Sequence, residues 1–280
     1  DVIVASQTGS GKTAAFALPI INGLIKEQDS DKGQKKIKAL IISPTRELAI
    51  QIEENFNTYN KYTNLRTTAI YGGISTKPQK EILTKGVDIL ISTPGRFIDL
   101  HKQGNIDLTS LETFVLDEAD LMLDMGFIQD VKKIEELCPR KKQTLLFSAT
   151  MPEKVNDLAK SMLHNPEKVN VIPTDNTVNN IGQLLYYTPK KNKVDLCLHL
   201  LRNTIKGKII IFRRTKFGVD KLENTLQKNG YKVTSIHGDK SQVLRNQAIE
   251  DFKTNKVNIL IATDVAARGI DISKIDAVIN

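Results

Sequence analysis

The stretch Val2-Ile3-Val4-Ala5-Ser6-Gln7-Thr8-Gly9-Ser10-Gly11-Lys12-Thr13 constrains the fold of this chain more than any other. A β-branched run ends in small residues, passes two glycines and meets Lys-Thr ahead of Ala14-Ala15-Phe16-Ala17-Leu18. That order predicts strand, tight loop and helix. The first N–H groups of a helix lack internal partners, and the helix dipole favours negative charge there, so the loop is a candidate anion site. In a nucleotide-binding reading, Ser6, Thr8, Gly9, Ser10 and Gly11 line the phosphates. Lys12 reaches the outer ones, and the Thr13 hydroxyl takes a Mg²⁺ position. Ser6 stands where the strict P-loop pattern has glycine, so a glycine-rich turn that binds nothing is the competing reading.

Beyond this loop, short apolar runs alternate with helical patterns. Strands are expected at 2–5, 39–43, 67–71, 89–92, 114–116 and 144–147, with helices at 14–28, 45–61, 76–85, 96–102, 127–136 and 152–162. This alternation predicts an α/β fold with a parallel sheet flanked by helices, whose strand ends face one crevice. The polar, turn-rich residues 173–180 read as a linker between a first domain, 1–172, and a second, 181–280. In the second, strands are expected at 181–187, 208–212, 233–236 and 257–262, with helices at 191–201, 217–229 and 241–252. A last strand is expected near residue 278. The charged residues 28–38 read as an exposed loop.

Composition bounds the function classes. The 280 residues, 40% hydrophobic and 26% charged, suit globular domains, and no apolar run reaches the ~18 residues of a membrane span. Cys138 and Cys197 lack partners at metal-ligand spacing, and the four histidines are scattered, so reduced thiols, no zinc centre and a cytoplasmic setting are expected. Residues 1–180 carry 22 basic against 23 acidic side chains, whereas residues 181–280 carry 18 against 9. A basic second half points to a polyanion partner; a merely soluble basic surface is the bland alternative.

Asp117-Glu118-Ala119-Asp120 follows the apolar Phe114-Val115-Leu116. Carboxylates crowded at a strand tip need a cation. Beside a phosphate loop, Asp117 is a candidate Mg²⁺ ligand and Glu118 the candidate base for the attacking water. The alternative is an ordinary acidic helix start.

These residues spell the name of the DEAD-box RNA helicases, and the chain resembles that family almost end to end. The motifs run in order: residues 5–13, Pro44-Thr45-Arg46-Glu47-Leu48-Ala49, Gly72-Gly73, Thr93-Pro94-Gly95-Arg96, the acidic box and Ser148-Ala149-Thr150. They continue with Ile210-Ile211-Phe212, Gln242 with Arg245, and residues 262–271. The texture of residues 122–127 and 236–241 is similar to the bacterial RhlE-type branch. The resemblance implies two tandem RecA-like domains, the second incomplete, ATP and Mg²⁺ as cofactors, and ATP-driven local unwinding of short RNA duplexes. Two lobes would close on ATP and RNA and reopen after hydrolysis. It also implies RNA contacts at Pro44, Thr45, Arg46, Gly72, Gly73, Thr93, Arg96, Asp99, Gln242, Arg245 and Thr263. Ser148, Thr150 and Asp120 would couple hydrolysis to strand separation, with Asp120 as an interdomain contact, while Gly269 and Asp271 would reach the nucleotide. It implies a monomer serving RNA with little sequence specificity, in ribosome assembly or RNA decay. Leu121, where the family commonly has Arg, is a small departure. The family's upstream glutamine motif and later arginine-rich motif fall outside these 280 residues, so this piece alone is expected to hydrolyse ATP barely or not at all. A DNA translocase of the same superfamily and a non-enzymatic RNA clamp stay open as alternatives.

Overall fold

Four of the first domain's expected strands are nearly pure aliphatic runs, and that composition demands cover on both faces. The computed structural model describes residues 1–7, 9–28, 36–171, 181–267, 272 and 274–280. The chain divides into two compact units, Asp1–Asn176 and Thr177–Asn280.

In the first unit, strands β1 (Val2–Ala5), β2 (Ala39–Ile42), β3 (Thr67–Ile70), β4 (Ile89–Ser92), β5 (Thr113–Leu116), β6 (Gln143–Ser148) and β7 (Glu167–Asn170) form one sheet. Its order is β3-β4-β2-β5-β6-β1-β7, and every pairing is parallel. Alternate residues of each strand face opposite ways. Leu40, Ile42, Leu90, Phe114, Leu116 and Leu146 pack under α4 (Pro94–Lys102), α5 (Ala119–Asp124), α6 (Ile128–Glu136) and α7 (Glu153–Met162). Ala39, Ile41, Ile89, Ile91, Val115 and Phe147 pack under α1 (Lys12–Gln28) and α2 (Arg46–Tyr59). Phe16 of α1 joins these layers, its ring centroid 6.1 Å from that of Phe56 and 5.2 Å from that of Phe147. Burying each of the Val, Leu, Ile and Phe side chains contributes about 1.5–3 kcal/mol.

The sheet's edge at β3 is closed by side chains. Glu53 of α2 accepts the Ala69 N–H at 2.9 Å. Gln79 of α3 (Thr76–Thr84) accepts the Tyr71 N–H at 3.1 Å and donates to the Tyr71 carbonyl at 3.2 Å. An open row of backbone groups would template pairing with another chain, and these contacts occupy it.

In the second unit, β8 (Ile209–Phe212), β9 (Val233–Ile236), β10 (Ile259–Ala262) and β11 (Ala277–Ile279) form a parallel sheet of order β11-β8-β10-β9. One face packs on α8 (Lys193–Asn203) and α9 (Lys216–Lys228), the other on α10 (Gln242–Lys253) and α11 (Asp264–Ala267). Thr215 caps α9 by accepting the Gly218 N–H at 3.1 Å, and Ser241 caps α10 by accepting the Leu244 N–H at 3.3 Å.

The expected strand at 181–187 does not form. Ile181, Leu184, Leu185 and Tyr187 are exposed, and no described strand lies alongside to accept their backbone bonds. Composition alone cannot make a strand without a neighbour. The short elements α5, β7 and α11 escape the sequence reading; β7 is exposed along its whole length and lacks an apolar pattern. The expected linker 173–180 and most of the 28–38 loop lie outside the described residues.

Candidate active site

In a parallel sheet all carboxyl ends share one edge, and the first unit collects its chemistry there. Strand order then divides the edge. The tails of β5, β6 and β1 lie side by side and carry Asp117 and Glu118, Ser148, and the glycine loop. The tails of β3, β4 and β2 carry Gly72 and Gly73, Thr93, and Pro44 with Thr45.

The loop after β1 turns through Gly9 at φ +81° and Gly11 at φ +91°. A Cβ on either would meet nothing within 4 Å, so the left-handed backbone, rather than crowding, calls for glycine at both. Ser6 fits in the pattern's first glycine position because its side chain is used: its hydroxyl accepts from Ser10 Oγ at 3.0 Å, and it is buried. α1 begins at Lys12 with no acidic residue in its own first turn. Lys12 is 8% exposed; its Nζ donates to the Ser6 carbonyl at 3.2 Å and lies 2.7 Å from Glu118 Oε1. Thr13 follows as the second residue of α1. Thr8 lies outside the described residues.

Glu118 reaches Lys12 through strain. It stands at the N-cap position of α5, without a side-chain capping bond, at φ 53° and ψ 55°, a left-handed conformation that costs a non-glycine residue about 1–2 kcal/mol. Asp117 is 4% exposed. Burial first, then the neighbouring Glu118 charge, push its carboxyl up to about 7 against the opposing pull of Lys12. Crowded buried carboxylates beside one lysine form a donor set short of positive charge. Open space above two glycines at a helix start forms a cradle short of negative charge. A nucleotide phosphate chain with a divalent cation supplies both, so these residues fit that group.

Asp120, Ser148 and Thr150 close a ring one strand away. Asp120 Oδ2 accepts from the Thr150 N–H and from Thr150 Oγ1, each at 2.8 Å. Ser148 Oγ accepts the Asp120 N–H at 3.1 Å and donates to the Thr150 carbonyl at 2.6 Å. Burial pushes the Asp120 carboxyl up, but the hydrogen bonds of Thr150 and Ser148 outweigh it and hold the group below the usual range.

On the other half of the edge, Thr45 caps α2 by accepting the Leu48 N–H at 3.3 Å, so Arg46 starts that helix. Its guanidinium lies against the glycine pair: a Cβ on Gly73, which sits at φ +81°, would come within 2.0 Å of Arg46 Nη1. Pro94 occupies the first turn of α4 after Thr93. Arg96 Nη2 donates to the Ile74 carbonyl at 3.0 Å, and its Nε lies 3.9 Å from Asp99 Oδ2. Arg96 Nη1 is buried without a hydrogen-bond partner. The Ile74 carbonyl is a backbone group and leaves no trace in the sequence.

In the second unit, Gln242 and Arg245 sit in the first turn of α10, 4% and 8% exposed. Thr263 follows the adjacent strand β10, its N–H donating to the Ile236 carbonyl at 3.3 Å. Gly269 and Asp271 lie outside the described residues. Among the described residues no cluster of three metal-ligating His, Cys, Asp or Glu side chains is present, and no helix is long and apolar enough to cross a membrane. Burial pushes the Cys138 thiol up to about 12 and Cys197 upward as well, so both are poor nucleophiles.

Comparison with known proteins converges with this geometry. Residues 1–158 match the DEAD/DEAH box helicase family and residues 192–280 the helicase conserved C-terminal domain. The chain is 44% identical over all of its 280 residues to the DEAD-box ATP-dependent RNA helicase RhpA of Helicobacter pylori, spanning 56% of that relative's length. Among solved structures it is similar to yeast Dbp5 bound to RNA and ADP BeF3, with a TM-score of 0.85 and 31% identity, covering 100% of this chain and 70% of that one. A DEAD box protein from Methanococcus jannaschii is 38% identical with a TM-score of 0.57, covering 99% and 73%. The two parallel-sheet units are RecA-like, and the chain belongs to the DEAD-box helicase family.

Proposed function

We propose that this chain is the core of an ATP-dependent RNA helicase that uses ATP with Mg²⁺ to open short RNA duplexes locally. The observation that carries the reading is the convergence of the Lys12–Glu118 pair, at 2.7 Å, with buried Asp117 at the glycine-bounded start of α1. Bound ATP with Mg²⁺ supplies an activated phosphoryl group and the charge that balances these carboxylates. Lys12 and the loop N–H groups hold the phosphates; Thr13 and Asp117 hold the metal, and Glu118 orients and takes a proton from water. Gly269 and Asp271 are assigned to the nucleotide on the family resemblance alone. Arg46, Arg96 and the Gly72-Gly73 backbone grip RNA phosphates from the first unit. Gln242, Arg245 and Thr263 grip from the second. Contacts of this kind read backbone rather than base, which predicts strong salt dependence and little sequence preference. The ring of Asp120, Ser148 and Thr150 links the acidic box to the neighbouring strand tail.

We assign the chain to the RhlE-type branch on the texture of residues 122–127 and 236–241, and take 173–180 as the linker between domains 1–172 and 181–280. A monomer in the cytoplasm, serving ribosome assembly or RNA decay, completes the proposal. The test is ATP hydrolysis by the natural full-length protein with and without single-stranded RNA or DNA. RNA is expected to stimulate turnover, DNA is not, and Lys12→Ala is expected to lower kcat roughly 10²–10³-fold. Equal stimulation by DNA, or turnover indifferent to Lys12→Ala, overturns the reading.

A further inference from the structure

A polar stripe on α9 is directed at the loop that launches α10. Residues 216, 220 and 223 fall at i, i+4 and i+7 and so share one helix face, while Val219, Leu222 and Leu226 bury the adjoining face. Each stripe residue meets the segment from β9 to α10. Glu223 Oε2 accepts from Ser235 Oγ at 2.7 Å and from Lys240 Nζ at 3.2 Å. Lys216 Nζ lies 2.6 Å from Asp239 Oδ2. Asp220 Oδ1 lies 2.9 Å from Nε2 of His237, whose ring is 5% exposed. His237 Nδ1 accepts the Asp239 N–H at 3.3 Å, which assigns the ring proton to Nε2 and makes it the donor to Asp220. The loop is thereby fixed at both ring nitrogens, and it ends two residues past Asp239 at Ser241, the cap of α10.

These links differ in weight. Lys216 and Asp239 are each 60% exposed, so their pair contributes little. The imidazole is buried, and without Asp220 its Nε2–H has no acceptor among the described contacts. Leaving such a donor unpaired is costly, so the loop stays where Asp220 puts it. Apolar packing alone would hold α9 against the sheet, but it is not directional enough to set where a helix begins. Gln242 and Arg245 are buried in the first turn of α10, so their reach depends on that starting point.

We propose that Asp220 and His237 are positioning residues that set the N-terminal turn of α10, and with it the grip of Gln242 and Arg245 on RNA. This rests on the RNA-gripping reading of α10 given above. The experiment compares the full-length protein with Asp220→Ala, Asp220→Asn, Gln242→Ala and Asp220→Ala combined with Gln242→Ala. It measures affinity for a fluorescent oligouridylate, the RNA concentration at half-maximal ATP hydrolysis, and affinity for a fluorescent ATP analogue. Asp220→Ala is expected to raise both RNA quantities about tenfold, while the maximal rate moves less than about threefold. Nucleotide affinity is expected to hold. Asp220→Asn keeps an oxygen for the Nε2–H and is expected to recover most of the loss. The double variant is expected to lose less than the two single losses multiplied, because both act through one turn. Unchanged RNA affinity in Asp220→Ala, no recovery in Asp220→Asn, or RNA and nucleotide affinity falling together with melting temperature overturns the positioning role. A parent protein that neither binds RNA nor responds to it overturns the proposed function and this inference together.

Discussion

Asp120 and Gly73 show how much a single atom governs at the strand tails. Asp120 Oδ2 takes both Thr150 donors, and its carboxyl is held below the usual range. A group with a lowered folded pKa contributes stability that is complete above its unfolded value and lost as pH falls through the folded one. Asp120→Ala is therefore expected to cost about 1–2 kcal/mol at pH 7, read by denaturant melts. The gap from the parent should narrow only below the ordinary carboxylate range. Gly73 combines a φ of +81° with an Arg46 guanidinium where a Cβ would stand. Gly73→Ala is expected to cost about 1–2 kcal/mol in stability and to push Arg46 aside. The expected readout is a weaker RNA affinity with nucleotide affinity intact. An RNA affinity equal to the parent's would remove Arg46 and Gly73 from the grip.

At the scale of elements, the edge of the first sheet depends on a carboxylate in an awkward place. Burial raises the Glu53 pKa, more than its bond from the Ala69 N–H lowers it. A raised folded pKa means that its contribution is fully present below the unfolded value of about 4.5 and lost as pH rises through the folded one. Glu53→Gln keeps an acceptor for Ala69 without that dependence. It is expected to match or exceed the parent's melting temperature at pH 7 and to flatten the stability profile just above pH 4.5. A clear loss of melting temperature at pH 7 would show that the ionised carboxylate itself is needed at β3. Element by element, the sequence was readable where apolar period and caps agreed. α2 and α10 start where Thr45 and Ser241 cap them, within a residue of the expected positions. Residues 181–187 had the composition of a strand without a partner, and β7 had a partner without the composition.

Across the whole molecule, the residue sequence by itself determined the chemistry and the local shapes. Two glycines, a lysine and a threonine after a β-branched run specify a strand–loop–helix anion cradle. Unbroken aliphatic runs specify strands covered on both faces, because no face could remain wet. The tertiary structure alone decided adjacency. Asp117 and Lys12 are 105 positions apart in the chain, yet β5 and β1 flank β6, so the acidic box and the cradle share one edge. The same order puts Arg46 and Gly73 on the other half of that edge, two strand positions apart. Strand order follows from how the apolar strands and their helices pack together on both faces of the sheet, a choice made over long loops that local pattern cannot encode. Likewise the sequence places residues 216, 220 and 223 at helical spacing and says nothing of what they meet. Folded, they are bonded to the loop that starts the next helix.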